Sequence, residues 1–293
     1  MKVKKIDIHI HTTLKKSIPR VDGDNFADAG EVVKMYEQLG VEKGVQLPDI
    51  GPDCAYGIMT NEDAIALSEA YPDVFFWFCN IDPRWGKNSP DADLSYFINY
   101  YKERGTKGVG EITSNLYFDD PLVENLFYHC EKCDMPVIFH IGLKGGDYGL
   151  IDEVGLKRLE MSLKKFPKLK FPGHSQKFWA EISGDCTEEI RCGYPIGPVC
   201  QGGRVVELMR AYPNLYGDLS ALSGENAVMR DPEFGWSFLE EFQDRLFFGT
   251  DICDPGRHPN LSFYLDYAVE TGRISQGCYE KICRENALAL LYR

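Results

Sequence analysis

Short apolar segments alternate along this chain with amphipathic ones, and that alternation restricts the fold more than any other feature. "KKIDIHIHTT", "GVQLPD", "VFFWFCNIDP", "KGVGEIT", "MPVIFHIG", "LKFPGHS", "NLYGDLS" and "RLFFGTD" read as eight buried strands. Between them apolar residues recur at helical spacing: Asp24 to Gly40, Asn61 to Tyr71, Asp91 to Arg104, Pro121 to Lys132, Glu153 to Lys165, Gly203 to Ala211 and Trp236 to Phe242, with two helical segments at the end. Each strand-and-helix unit takes about thirty residues. Eight such units without a Pro/Ser-rich linker fit an α/β chain closed as a single (β/α)8 TIM barrel over residues 1–293 better than an open sheet of five or six strands. No Gly-x-Gly-x-x-Gly follows a strand, which removes the main support for a dinucleotide fold.

In such a barrel the chemistry sits at the C-terminal ends of the strands. His9 and His11 end the first strand, Glu111 the fourth, His140 the fifth, His174 the sixth and Asp251 the eighth. Side chains alternate faces along a strand, so His9 and His11 are expected on one face, with Ile8 and Ile10 on the other. One histidine at a strand end is more often a satisfied core residue than a ligand. Six ligand-type side chains converging on one mouth would leave buried charge or unpaired polar atoms unless something bound there, and a metal ion answers that cost.

Charge and cysteine usage narrow the partners. A formal net charge of −13 repels a phosphate backbone, and the basic residues form no stripe, so nucleic acid is excluded. Lys2, Lys4 and Lys5 run directly into a strand, and no apolar stretch would span a bilayer; a cytoplasmic protein without membrane attachment is expected. The ten cysteines lie scattered, several in apolar segments, and read as reduced thiols; the close pair Cys130 and Cys133 lacks a second C-x-x-C to complete a zinc site. The expected partner is a small-molecule substrate, with a homo-oligomer compatible with the sequence.

The segments "IDIHIHTT", "MPVIFHIG", "FPGHSQKFW", "NLYGDLSA", "RLFFGTD" and "ICRENALALL" resemble the amidohydrolase superfamily, in the amidohydrolase-related branch that also holds non-oxidative decarboxylases. The resemblance implies one or two divalent ions, zinc or else manganese, held by His9, His11, His140 and Asp251. His174 matches the position that binds a second metal or polarises the substrate. Many two-metal members carry a carboxylated lysine at the end of the fourth strand, where this chain has Glu111; some members bridge two metals with a glutamate, whereas the decarboxylases generally lack a bridge. Lys107, earlier in that strand, is expected to point from the other end of the barrel.

A metal ion with an open position activates water near neutral pH. Asp251 is then the expected general acid/base and His174 a stabiliser of negative charge on the substrate. The favoured activity is hydrolysis of a small amide, lactone or cyclic imide, with decarboxylation of a small aromatic or unsaturated acid as the alternative and metal binding without catalysis third. Arg84, Trp179 and Arg257 are candidate substrate contacts, together with Arg204 and His258. The aromatic-rich stretch from Phe178 to Tyr194 is a candidate lid.

Overall fold

The structure, a computed structural model, describes residues 2–19, 25–55 and 57–292. All strands that pair do so in parallel: β1 (Lys5–Ile10), β2 (Val41–Gln46), β3 (Phe75–Trp77), β4 (Val109–Ile112), β5 (Val137–Gly142), β6 (Leu150–Ile151), β7 (Phe171–His174), β8 (Leu215–Asp218) and β9 (Leu246–Phe247). One run is β1-β2-β3 and the other β4-β5-β7-β8-β9, with two-residue β6 an added pairing on β5. Backbone bonds join the runs at both seams. Cys79 N–H donates to Gly108 O and Gly110 N–H to Cys79 O, linking β3 to β4; Ile8 N–H donates to Phe248 O and Asp251 N–H to His9 O, linking β9 back to β1. The ring therefore follows chain order, the arrangement of a (β/α)8 barrel.

The predicted strands are all present, most in shorter form, the second shifted to start three residues earlier at Val41, and several helix boundaries move. The first helix runs Ala29–Leu39 rather than from Asp24, which lies outside the described residues. Its start is fixed by a capping box between Asp28 and Glu31, and its end by Gly40 in the left-handed region at φ 71°. The helix expected from Glu153 begins at Lys157, because Gly155 and Leu156 both take positive φ and break the turn. The helix expected from Trp236 begins at Pro232, an N1 proline behind the Asp231 cap. A helix at Ala221–Met229 was not foreseen.

The alternation expected in β1 also changes. Its register against β2 slips between Asp7 and Ile10, where three residues oppose two. Ile6 and Ile8 accordingly pack in one core cluster, with Val45, Phe78, Ile138 and Phe247, while Ile10 packs in the other, with Val32 and Tyr36. A bulge of this kind re-aims side chains at a barrel rim. His9 and His11 remain neighbours, with ring centroids 4.9 Å apart. Against the first cluster lie Ala287, Leu290 and Leu291 of the last helix.

Behind the barrel wall a buried ion pair ties the segments after β6 and β7. Arg191 is fully buried; its Nη1–H donates to Asp152 O at 2.9 Å, and Nη2 lies 3.5 Å from Glu181 Oε1. Glu181 also accepts the Gly155 N–H at 2.7 Å. Burial pushes the Glu181 carboxyl up to about 7 despite Arg191 beside it. Its folded value thus lies above the ordinary 4.5, so between those two values the folded chain holds a proton that the unfolded chain has lost. Stability from this group is present at the acid end and declines as pH rises through that window. Glu181→Gln should flatten the decline in the urea midpoint of metal-free protein; an unchanged pH slope in the variant would locate the effect elsewhere.

Candidate metal centre

The strand ends bring all six predicted residues to one place. His9 and His11 approach through Nε2 atoms 3.0 Å apart. Each uses its other ring nitrogen as an anchor: His11 Nδ1–H donates to Leu47 O at 3.0 Å, and His9 Nδ1–H to Asp218 Oδ2 at 2.6 Å. Those anchors turn both Nε2 atoms toward the other ligand-type side chains. Glu111 lies among the rings, with Oε1 2.8 Å from His140 Nδ1 and 3.8 Å from His174 Nε2, and Oε2 3.6 Å from His11 Nε2. Asp251 completes the circle, Oδ1 being 3.6 Å from His9 Nε2 and 3.7 Å from His11 Nε2. It takes a left-handed φ of 52°, a conformation aspartate tolerates, and its N–H is held 2.8 Å from His9 O.

Two donor sets emerge among the described residues. His9, His11 and Asp251 each place a ligand atom within 4.8 Å of the others, and so do His9, Glu111 and His174. Imidazole nitrogens and carboxylate oxygens at this spacing fit a divalent transition ion. His140 stands in neither set; its Nδ1–H is turned onto Glu111. The sets face a cavity of about 320 Å³, whose floor includes His11, Glu111, His140, His174 and Asp251. Phe26, Asp49, Asp53, Thr113 and Tyr148 also line it. The Tyr148 ring stands 4.6 Å from that of His140. The next residue must be small, since a Cβ on Gly149 would meet His140 Cδ2 at 2.8 Å, and Gly149 also has a φ of +106°.

Charge is unevenly shared here. Burial alone would raise Glu111, but His140, His9 and His11 outweigh it and hold the carboxyl well below the usual range. Burial would lower His11 and His174, yet carboxylates win at both: Glu111, Asp251 and Asp49 carry His11 to about 9, and Asp218, Glu111 and Asp251 carry His174 to about 9. His140 moves the other way, lowered by burial and by the neighbouring His174 and Lys177. The cluster therefore keeps compensating positive charge beside its anions.

The proposed substrate contacts lie elsewhere. Arg84 is held by Asp82, two residues away, with Nη1 to Oδ2 at 3.0 Å. Trp179 is buried in the core, its Nε1–H donating to Asp218 O at 2.8 Å, and Phe178 is buried with it, so the expected lid is packed interior at that end. Arg257 and the exposed His258 follow β9 without lining the cavity. Arg204 reaches Gly155 O and Glu160. Lys107 does point away, its ammonium 6.0 Å from the Tyr292 ring near the C-terminus. The residue overlooked is Asp218, at the end of β8, which contacts His9 and lies 3.3 Å from His174 Nδ1. The same strand-end rule that selected the histidines could have found it.

Residues 199–293 match the Amidohydro_2 family model, described as Amidohydrolase. No curated protein matches the chain significantly. In fold, the chain is similar to an uncharacterised TIM-barrel protein from Bordetella bronchiseptica, at 20% identity and a TM-score of 0.69 over 99% of this chain and 100% of that one. It is similar to an amidohydrolase from Burkholderia multivorans at 11% identity and a TM-score of 0.62, over 99% of each chain. A 2,6-dihydroxybenzoate decarboxylase from Rhizobium gives 16% identity and a TM-score of 0.57 over 98% of each. The resemblance read from the strand-end motifs is thus met in sequence by the last third of the chain, and the barrel is met in fold along its whole length.

Protein purified without chelators should carry a divalent transition ion that is lost as pH falls and the imidazoles protonate. Elemental analysis checks this. A content below about 0.2 equivalents, unaltered after incubation with zinc or manganese, would remove the metal centre.

Proposed function

We propose that the chain is a metal-dependent hydrolase of the amidohydrolase superfamily, acting on a small amide, lactone or cyclic imide. The observation that carries this reading is the pair of donor sets built around buried His9, whose other members, His11, Asp251, Glu111 and His174, all line one cavity. His9, with its one free lone pair on Nε2, would serve a single ion together with His11 and Asp251, and Glu111 and His174 would complete that ion's shell or reach a second, with His140 steadying Glu111. Zinc suits this nitrogen and oxygen set, with manganese next. A divalent ion there would activate water and polarise a carbonyl.

The chain's own residues supply the remaining steps. The Asp251 side chain is 21% exposed, the most open of the carboxylates around His9, and so can meet both water and substrate. It takes the proton of the attacking water and returns it to the departing nitrogen or oxygen. Where His174 holds no ion, its protonated form, favoured by Asp218, Glu111 and Asp251, faces the cavity and can stabilise negative charge growing on the carbonyl oxygen. Phe26 and Tyr148 give the substrate apolar and aromatic wall. The ten free cysteines support a reducing, cytoplasmic setting.

Decarboxylation is the weaker reading. A substrate carboxylate in the cavity would share it with Asp49 and Asp53, whose like charge opposes it. Small amides, lactones and imides should be screened with zinc- and manganese-loaded protein, and the reaction found then run in ¹⁸O-labelled water. Label must enter the product of a hydrolase. Release of carbon dioxide with no label would establish the decarboxylase instead.

The two carboxylates should fail differently. If Glu111 serves two ions, Glu111→Gln lowers bound metal from about two equivalents towards one. Asp251→Asn should keep most of the metal on the histidines while turnover falls roughly 10²- to 10⁴-fold. Wild-type protein saturating at a single ion, with the count unchanged in Glu111→Gln, would leave a mononuclear site.

A further inference from the structure

Beneath the donor sets lies one carboxylate that faces two of their rings. Asp218 is fully buried at the end of β8. Its Oδ2 is 2.6 Å from His9 Nδ1 and 3.3 Å from His174 Nδ1, although these histidines come from strands far apart in sequence. Its Oδ1 accepts the Ser220 N–H at 3.0 Å, and its backbone oxygen accepts the Trp179 indole N–H at 2.8 Å. The carboxylate is thereby held by the Ser220 N–H on one oxygen and the two rings on the other, and the Trp179 bond fixes the backbone that carries it. His174 Nδ1 has a second neighbour, Ser220 Oγ, at 3.0 Å, whereas no other partner reaches His9 Nδ1 among the described residues.

An ionised carboxylate can only accept hydrogen bonds. A ring in contact with it must therefore turn Nδ1–H downward, which puts Nε2 at the cavity. We infer that Asp218 is a positioning residue whose single Oδ2 fixes the orientation of His9 and His174 together, and the tautomer of His9, so that one buried carboxylate sets the affinity of both donor sets for a divalent ion. The inference rests on the metal-hydrolase reading for its affinity part; the ring orientation and tautomer belong to the metal-free protein as well. Bonds of this outer kind commonly change metal affinity by roughly 10- to 100-fold.

Asp218→Asn is the informative substitution because it keeps size and shape while placing an amide, half donor, where an acceptor stood. With Oδ1 still required by Ser220 N–H, the amide NH₂ would face His9 Nδ1–H. The ring escapes that clash by moving its proton to Nε2, which removes the lone pair from the cavity. Two measurements read this. In ¹⁵N-histidine spectra of metal-free protein at alkaline pH, His9 should be the Nδ1–H tautomer in wild type and shift towards Nε2–H in Asp218→Asn. In competition against a chromophoric chelator, the variant should bind Zn²⁺ roughly 10- to 100-fold more weakly. Ser220→Ala, which removes only the alternative partner of His174, should leave the His9 tautomer as it is.

The outcomes separate the two readings. Wild-type protein that shows the Nδ1–H tautomer yet binds no Zn²⁺ would overturn the metal centre and the affinity claim, leaving the positioning role supported. Wild-type protein that binds Zn²⁺, with tautomer and affinity unaltered in Asp218→Asn, would overturn the role of Asp218. Circular dichroism shows whether the variant folds. Should it fail to fold, the wild-type spectrum still decides, since a His9 ring found as Nε2–H contradicts the inference outright.

Discussion

The buried charge of Glu111 is the constraint around which the barrel mouth is organised. A carboxylate only 4% exposed is costly unless groups of opposite sign or strong donors surround it. Here the surroundings come from four histidines on three other strands: His140 at 2.8 Å, His11 at 3.6 Å, and His9 and His174 at 3.8 Å each. That ring of imidazoles exists only if the barrel closes. The seam between β9 and β1, with Asp251 N–H on His9 O and Ile8 N–H on Phe248 O, brings the last strand's aspartate against the first strand's histidines. Asp7 reinforces the seam from behind, accepting the N–H groups of both His9 and Thr250. Its carboxyl is raised to about 7 by burial despite these bonds, another acid retained at a cost in the same wall.

The protonation pattern explains what such a site would exchange. His11 and His174, both carried to about 9, hold protons in the metal-free protein at neutral pH, while Glu111 and Asp218 stay ionised. A divalent ion entering between them replaces mobile positive charge with fixed positive charge, and the imidazoles become neutral ligands. The sign follows directly. Folded values of the two histidines lie above the ordinary 6.5, so their stabilising contribution is complete below that value and fades as pH rises towards 9. Ion binding gains strength over the same interval, since fewer protons compete. If the proposed ion binds, the metal-free and loaded proteins would be stabilised at opposite ends of the neutral range by the same side chains.

Much of this was legible in the sequence because the barrel converts a one-dimensional rule into a place. Knowing where each apolar strand stops was enough to gather His9, His11, Glu111, His140, His174 and Asp251. What the sequence concealed lies in contacts between distant segments. Trp179 looked like a loop aromatic near the mouth, but its indole is spent on Asp218, 39 residues later. Arg84 offered a guanidinium for a substrate, and Asp82 beside it had already taken it. The Ala221–Met229 helix escaped because Gly224 interrupts its pattern; that glycine is needed where a Cβ would strike the Leu219 carbonyl at 2.2 Å. The slip in β1 is invisible to strict alternation, since a bulge is recognised by its partner strand and not by its own residues.

The cavity adds a constraint on substrates that the metal ligands alone do not impose. At about 320 Å³ it sits at the small end of ligand pockets. Its wall combines the rings of Phe26 and Tyr148 with the carboxylates of Asp49 and Asp53. Asp49 lies near enough to His11 to favour its protonated form, so negative charge extends from the ligand cluster into the wall. A compact molecule with a polar carbonyl and N–H groups would find acceptors in this wall, whereas an anion of equal size would meet like charge there. Under the hydrolase reading proposed above, size and wall charge are grounds for a neutral amide, lactone or cyclic imide as substrate, independent of how many ions the site holds.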